Sequence, residues 1–588
     1  MLQPPHWQRW WHYNRDGFLN LSALLAGRDT RSYASANQAG EPEPATKISP
    51  LLQKVLLEGG DTQMMRGSLL ALAQMPIAST DKDKLPLSFA THHFLKGDHP
   101  ATKEAAVLAM GISANPAELD DLLGLLRSNE HGITLVDDDR VDPRTRSFAA
   151  YSLALFAQRT QDEAARERIG RALLEVIVTD DHATFELHNA IIVALGLVPL
   201  PPCDGTDSAT GPQIGEPDAH LCIGIELGTL MNYFKDDKNY AALRAHVAPS
   251  LARLAAGGLP EYKEQVAGVL LEALGSRSKA EPEIQEGAVI GLGILTDSDS
   301  DATDKQSRQT LLRLAQKDET LTGRLAMMSL ARACARPGTN RPQSGLAKNL
   351  QWLEREVGKS EGQRDSWAAM ALSVMAHDMN EYGVEVPAEV PALMRASLKR
   401  AKSPELATSL AVGLGLLRDR ESEEVLRERF LADESNTVRG AAALALGLLE
   451  ATDSASGLRK VLDDPDEDPG VVRQAAIALR LIGDHEAATS LLTRLENCED
   501  DDVKATLVST LGILHDQRAV PAISAIIMDS EADDELRGVA AFALAELANR
   551  RPRSWSEPLS TNLNYAALSW TLESPFEDGS GVLDMRWW

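Results

Sequence analysis

Few residues in the sequence have the type and spacing needed for catalysis. The triplet Gly358-Lys359-Ser360 ends like a phosphate-binding loop, but such a loop needs a glycine five positions earlier, where the chain has Leu353. The GxSxG, HExxH and GxGxxG motifs of serine hydrolases, zinc proteases and dinucleotide-binding proteins do not occur. We therefore predict no catalytic residue and no cofactor, and we expect the chain not to be an enzyme.

One acidic stretch has the alternation of a calcium-binding loop. In "TDSDSDATD", Asp297, Asp299, Asp301 and Asp304 are separated by small residues, and carboxylate oxygens are the ligands that Ca²⁺ prefers. An EF-hand also needs a glycine at position six and a glutamate at position twelve, where the chain has alanine and arginine. An EF-hand is excluded. A weak calcium site and a flexible acidic turn remain as alternatives.

Histidine and cysteine do not define a metal or disulfide framework. His92 and His93 are adjacent, so on a helix they point to different faces, and surface or core roles are favoured over metal ligation. Cys203 and Cys222 flank one Pro- and Gly-rich loop. They could pair in an oxidising compartment, and the alternative is two idle thiols.

The charge balance and hydropathy limit the classes of partner. Lys and Arg number 59 against 86 Asp and Glu, a net charge of −27, whereas phosphate binding needs a surplus of cations. No apolar run reaches the roughly 18 residues of a membrane span, and the N-terminal residues lack the pattern of an export signal. We expect a cytoplasmic protein with neither nucleic acid nor a membrane span. A processed, exported form is the alternative.

A repeat with a period in the low thirties organises the second half of the chain. The segments "TVRGAAALALGLL", "VVRQAAIALRLIGD", "DVKATLVSTLGILHD" and "ELRGVAAFALAELAN" align on Val438, Val472, Val503 and Leu536, with steps of 34, 31 and 33 residues. Each follows an amphipathic helix such as "EEVLRERFLA". Such a period with helical content is typical of an α-solenoid, in which the Ala-rich second helix is buried by its neighbours. Acidic clusters before these helices are expected to cap them.

Looser copies extend the pattern upstream and indicate roughly twelve to fourteen helix pairs over about 50–550. The inner helices predicted there are "RGSLLALAQM", "KEAAVLAMGIS", "TRSFAAYSLALFAQ", "LHNAIIVALGLVP", "IQEGAVIGLGIL", "GRLAMMSLARACA", "SWAAMALSVMAH" and "ELATSLAVGLGLLRD". The predicted fold class is all-α, a solenoid of stacked helix pairs in a right-handed superhelix. The Val-Arg pair, Ala-rich core and Gly-Asp turn resemble HEAT repeats. The opening "WQRWWHYNRDGFLNL" is similar to a segment of uncharacterised bacterial HEAT-repeat proteins.

The predicted organisation has four parts. A Trp-rich N-terminal segment (1–26) and a linker (27–50) precede the solenoid (51–550), which carries a long loop at 199–219, and a Trp-rich C-terminal tail (551–588) follows. Tryptophan clusters at both ends. The indoles could cap the terminal repeats, or they could bind a partner, because Trp is frequent at binding hot spots. The interaction candidates are Trp7, Trp10, Trp11, Trp587 and Trp588.

These features favour a protein-interaction scaffold that binds another protein on the concave face of the solenoid. One alternative is a structural protein that assembles with itself through its Trp-rich ends. Another is an enzyme of the HEAT-like lyase type, whose sites lack a short motif. The resemblance to HEAT-like deoxyhypusine hydroxylases implies several His-Glu pairs for iron, but this chain has only His485-Glu486. The sequence does not identify the partner or the oligomeric state.

Overall fold

The structure, a computed structural model, describes most of the chain. The described residues are 7–21, 24–25, 44–75, 87–97, 99–203, 221–339, 344–359, 362–548, 554–567, 569–574 and 580–585. They form helices joined by turns, and these ranges contain no β-strand. The predicted all-α fold is confirmed. Within the same ranges, no helix combines the length and the apolar character needed to cross a bilayer.

The helices differ in length from a single turn to nineteen residues. In chain order they are α1 (Trp7–Asn14), α2 (Pro44–Glu58), α3 (Thr62–Gln74), α4 (Leu87–Leu95), α5 (Pro100–Ser113), α6 (Leu119–Arg127), α7 (Glu130–Val136), α8 (Pro143–Arg159), α9 (Glu163–Thr179), α10 (Phe185–Leu195), α11 (Ile223–Lys235), α12 (Ala241–Ala256), α13 (Pro260–Ala273), α14 (Pro282–Leu295), α15 (Ala302–Lys317), α16 (Leu321–Ala335), α17 (Leu346–Val357), α18 (Gln363–Glu381), α19 (Glu389–Arg400), α20 (Pro404–Leu416), α21 (Glu423–Ala432), α22 (Asn436–Leu448), α23 (Ala455–Asp463), α24 (Pro469–Ile482), α25 (Ala487–Asn497), α26 (Asp501–Ile513), α27 (Val520–Met528), α28 (Asp534–Ala548) and α29 (Glu557–Ser560).

The array is built from helix pairs in two layers. The inner layer consists of α3, α5, α8, α10, α12, α14, α16, α18, α20, α22, α24, α26 and α28, and each inner helix packs against the next. An outer helix covers each of them, and the third pair has the additional helix α7. The described residues therefore contain thirteen pairs, within the predicted number. The sequence predicts twelve of the inner helices and misses α12, which carries Pro249 in its interior.

Side-chain character explains the two layers. The inner helix α8 is buried at nearly every position from Thr145 to Ala157, because other helices cover it on all sides. The outer helix α23 has a single apolar stripe, formed by Leu458, Val461 and Leu462, as expected for a helix with one face in water. The predicted acidic caps are confirmed: Asp468 accepts hydrogen bonds from the first backbone N–H groups of α24, and Asp500 does the same for α26.

The last pair of the array packs against the first. Helix α28 lies beside α3 in the same way as inner neighbours elsewhere. The Arg537 Nη1 atom is 3.6 Å from the Asp61 Oδ2 atom. The backbones also approach closely, because a Cβ atom added at Gly67 would lie only 2.9 Å from the Gly538 carbonyl oxygen. The HEAT-like solenoid is thus not an open superhelix. It closes into a ring, with the inner helices around a central space that we call the hub.

One predicted boundary differs from the structure. The predicted linker 27–50 overlaps α2, which begins at Pro44 and contains Pro50 in its interior; residues 26–43 lie outside the described residues. Most of the loop 199–219 also lies outside them. Its flanks are joined, because Cys203 and Cys222 form a disulfide with a Cα–Cα distance of 5.1 Å. The structure therefore selects the paired state of the two thiols.

Candidate functional site: the filled hub

The hub is occupied by the two ends of the chain. The described part of the C-terminal tail, within 554–585, lies along the inner helices from α8 to α16. The carboxylate of Glu186, on α10, accepts hydrogen bonds from the backbone N–H of Trp570 (3.3 Å) and of Thr571 (3.2 Å). It also accepts from the hydroxyls of Ser569 (3.1 Å) and Thr571 (3.0 Å). One carboxylate thus holds three consecutive tail residues.

Side chains of helix α12 donate hydrogen bonds to carbonyl oxygens of the tail. The Nε2 atom of His246 donates to the carbonyl of Ala567 at 3.0 Å, and the Arg253 guanidinium donates to the carbonyl of Thr561. Because side-chain donors of the helix meet backbone acceptors of the tail, these contacts recognise the main chain of the tail more than its side chains.

Two further contacts continue the line of the tail across α14 and α16. The amide of Asn564 donates to the carbonyl of Glu283 at 2.9 Å, and Arg332 donates to the side-chain oxygen of Asn562 at 2.7 Å. The inner face of the ring therefore acts as a groove for the tail segment.

Burial sets the protonation of the α12 groups. Burial lowers the pKa of His246 to about 4, and the nearby Arg253 contributes in the same direction. Burial also lowers the pKa of Arg253 to about 10, which leaves it charged at neutral pH. The imidazole is therefore neutral. Its bond to the Ala567 carbonyl requires the proton to be on Nε2, because a carbonyl oxygen can only accept.

The N-terminal segment lies in the hub beside the tail. Its Trp7 indole donates to the carbonyl of Glu405 at 3.1 Å. The ring of Tyr13 stacks on Tyr565 of the tail, with centroids 5.4 Å apart, and Asn14 accepts a hydrogen bond from the Asn562 backbone at 3.0 Å. The two ends therefore contact each other as well as the ring.

The tryptophan candidates have intramolecular roles in the structure. Trp7 is 1% exposed and Trp10 is 5% exposed, and Trp11 is partly buried beside Phe18, with ring centroids 5.8 Å apart. They cap no terminal repeat, because a closed ring has none. Trp587 and Trp588 lie outside the described residues. The buried indoles are unavailable to a partner while the hub is filled.

A lysine side chain of the protein already binds to the acidic stretch. Asp297, Asp299 and Asp304 lie together, as the alternation predicts, but the Lys263 ammonium donates to Asp297 at 2.8 Å and to Asp304 at 2.7 Å. Asp301 instead caps α15 by accepting the Asp304 N–H at 2.8 Å. The geometry favours a lysine-neutralised turn over the predicted calcium site.

The histidines separate as the helical spacing predicts. His92 contacts one carboxylate oxygen of Asp121 at 2.8 Å, while His93 is exposed. The other oxygen of Asp121 contacts His131 at 2.6 Å, a pairing that sequence separation conceals.

A cavity of about 510 Å³ remains in the part of the hub that α8 to α16 do not line, and Ser554 and Glu557 at the start of the tail are among its lining residues. We call it the hub cavity. The N-terminal segment forms one wall, with Trp7, Trp11 and Arg15, and the inner helices α20, α22, α24 and α28 form the other. Charged and polar side chains of the inner helices, including Arg473, Gln474 and Glu546, face it.

Comparison with known proteins agrees with this architecture. Residues 391–469, which span α19 to α23, match the family described as HEAT repeats. These residues are HEAT repeats. The resemblance predicted from the sequence is therefore confirmed. No curated protein sequence matches the chain significantly.

Solved structures with similar folds differ widely from this chain in sequence. Kap121p has 16% identity and a TM-score of 0.38, with 90% of this chain and 56% of that chain aligned. Importin beta has 13% identity and a TM-score of 0.41, with 82% of this chain and 66% of that chain aligned. Human deoxyhypusine hydroxylase has 16% identity and a TM-score of 0.22, with 54% of this chain and 98% of that chain aligned. The chain thus spans little more than half of Kap121p. We draw no conclusion about activity from these similarities.

The groups that hold the tail are not predicted from the sequence. Glu186, His246 and Arg253 are polar residues within otherwise apolar inner helices, in "FELHNAIIVAL" and "AALRAHVAPSLARLAA". A charge in a helix buried on all sides needs a partner. That exception to the apolar pattern is the signal that could have identified them.

Proposed function

We propose that this chain is a non-enzymatic protein-interaction scaffold whose inner face holds a peptide segment. The observation that carries the proposal is the engagement of three consecutive tail residues by Glu186, two of them through backbone N–H groups. Backbone groups are the same in every peptide. A partner segment that adopts the backbone conformation of the tail can therefore use the contacts that the tail uses.

The tail acts in this proposal as an internal competitor. A tethered segment has a high effective concentration at its own site, so a free partner must either bind more tightly or act where the tail is released. A preformed ring loses little conformational entropy on binding, which favours affinity. The scaffold would thus be closed to weak partners and open to those that displace the tail.

The test uses a chain that ends at residue 553 and a fluorescent peptide with the sequence of residues 554–585. We expect saturable one-to-one binding, measured by fluorescence anisotropy. Glu186→Ala should weaken binding by about tenfold or more, because two charge-assisted backbone contacts are lost. Glu163→Ala, at an exposed position on the outer helix α9, is the matched control and should bind like the parent.

Two outcomes would contradict the proposal. The first is no binding of the peptide to a truncated chain whose circular dichroism and thermal unfolding remain cooperative. The second is equal affinity for the parent and the Glu186 variant, since the inner face would then not be the binding surface. If a partner is purified with the native chain, it should compete with the labelled peptide.

The alternative of head-to-tail self-assembly lacks support in this geometry. Joining copies end to end requires exposed terminal repeats, and the contact between α28 and α3 covers both. The observation in favour of the lyase-type alternative is the hub cavity, which has the volume of a small-molecule site.

We infer an oxidising compartment for the mature chain. Disulfides persist mainly outside reducing cytosol, and the Cys203–Cys222 bond closes the loop of the fourth to fifth pair. The paired cysteines favour the exported alternative over the cytoplasmic expectation.

A further inference from the structure

The hub cavity has the dimensions of a ligand site. Its volume of about 510 Å³ falls within the range of roughly 300–1,000 Å³ that is usual for small-molecule pockets. It lies between two parts of the chain that are far apart in sequence, the N-terminal segment and the helices α20 to α28. It is also separate from the groove that holds the tail on α8 to α16.

Arg473 on α24 is an unpaired cation at this cavity. Its guanidinium makes no hydrogen bond or ion pair with any described residue, and its Nε atom has no access to solvent. Burial lowers the pKa of Arg473 to about 10, and the one charge that contributes is Arg15, which acts in the same direction. Arg473 is only partly buried, and a partly desolvated charge without a counter-charge does not stabilise the folded chain, so this arginine requires another explanation than stability.

The carboxyl groups at the cavity do not neutralise Arg473. Asp16 is paired with Arg15, at 3.8 Å, and Asp468 accepts the backbone N–H groups at the start of α24. Burial raises the pKa of Glu546 to about 8, with Asp16 as a further cause, so that Glu546 is protonated at neutral pH. The remaining acid that lines the cavity, Glu557, already interacts with another group.

Two further polar groups at the cavity have no partner. The Oε1 atom of Gln474 is buried without a hydrogen bond, which leaves the amide free to reorient toward a ligand. The protonated carboxyl of Glu546 can donate a hydrogen bond to an anion. Together with Arg473 they give three hydrogen-bonding groups from α24 and α28 that face one space.

Part of the remaining wall is apolar and lies beside polar side chains such as Gln8, Asn20 and Asn436. The apolar side chains of the lining that keep accessible surface are Trp11, Leu21, Ala441 and Leu444. An inorganic anion alone would leave this surface uncovered by apolar contact. A ligand with an apolar body would cover it and stabilise the complex by roughly 25 cal/mol for each Å² removed from water.

We propose that the hub cavity binds a small amphiphilic organic anion, with its charged group on the Arg473 guanidinium and its apolar body against Trp11 and Leu444. The planar guanidinium presents two parallel N–H groups, which fit a carboxylate or a phosphate monoester. This site is additional to the peptide groove and does not depend on it.

The test is titration calorimetry of the full-length chain with decanoate, decanol and inorganic phosphate. We expect decanoate to bind with one site per chain, and decanol and phosphate to bind about tenfold or more weakly, because each lacks one of the two recognised features. Arg473→Met keeps the length and removes the charge. It should abolish the preference for decanoate over decanol without lowering the midpoint of thermal unfolding, because an unpaired, partly buried cation is removed.

Two controls keep the result interpretable. Arg427→Met, at an exposed position on α21, should bind all three probes like the parent. Ala441→Phe places a ring in the cavity, and it should weaken decanoate and decanol equally. The proposal is overturned if the parent does not distinguish decanoate from decanol, if phosphate binds as well as decanoate, or if the Arg473 variant retains the preference.

Discussion

At the scale of residues, the hub contains two kinds of buried polar side chain. Glu186, His246 and Arg253 have partners in the tail, so their burial is compensated by hydrogen bonds. Arg473 and Glu546 face the hub cavity, and no described residue provides a hydrogen bond to either. The first kind accounts for the position of the tail. The second kind lowers stability, and this predicts a specific dependence on pH.

The prediction concerns Glu546, which is 7% exposed and whose pKa burial raises to about 8. An unfolded glutamate has a pKa near 4.3, so between these values the folded state holds a proton that the unfolded state releases. The contribution of Glu546 to the free energy of unfolding therefore decreases as the pH rises from about 4.3 to about 8. Glu546→Gln should gain unfolding free energy over the parent between pH 5 and 8.5, on the order of a few kcal/mol.

Urea unfolding at the two pH values measures this difference, with Glu496→Gln on the exposed face of α25 as the control. A difference between parent and Glu546→Gln that stays constant with pH would mean that the carboxyl ionises normally in the folded chain.

At the scale of elements, small residues let inner helices approach closely. A Cβ at Gly67 would lie 2.9 Å from the Gly538 carbonyl oxygen and 3.0 Å from the Ala541 Cβ atom, closer than such atoms normally come. At Gly228, on the outer helix α11, a Cβ would meet nothing within 4 Å. The same glycine-to-alanine change should therefore have opposite effects at the two sites.

We expect Gly67→Ala to lower the stability by about 1–3 kcal/mol, because overpacking separates α3 from α28. Gly228→Ala should leave it unchanged or raise it by up to about 1 kcal/mol, because alanine is the better helix former. Thermal unfolding and hydrogen exchange of α3 and α28 measure both. Equal effects at the two positions would contradict the close contact between the first and last pairs.

The sequence predicts the individual helices better than any other part of the structure, because a helix pair is specified by about thirty contiguous residues. The alternation of amphipathic and Ala-rich helices located twelve inner helices. Helix α12 was missed because Pro249, His246 and Arg253 interrupt its apolar pattern, and the last two are there to bind the tail. The polar residues that interrupt the apolar pattern of α12 thus mark the position where the tail binds.

At the scale of the whole molecule, ring closure and the filled hub were not predictable from local patterns. Closure depends on a small rotation between neighbouring pairs that accumulates over thirteen pairs. The hub contacts join residues hundreds of positions apart, such as Trp7 and Glu405 or Tyr151 and Thr571. Nothing in either local sequence specifies its partner. Both features follow from the three-dimensional arrangement of the pairs.

Closure is the central claim, because the hub, the groove and the cavity all depend on it. The most direct measurement is a distance by electron paramagnetic resonance between spin labels at Leu57→Cys on α2 and Glu535→Cys on α28, both exposed positions. The chain should carry Cys498→Ser, since Cys334 is buried. A closed ring predicts a single narrow distribution within roughly 25 Å, about two helix diameters. A broad distribution at much longer distances would show an open solenoid and contradict the account.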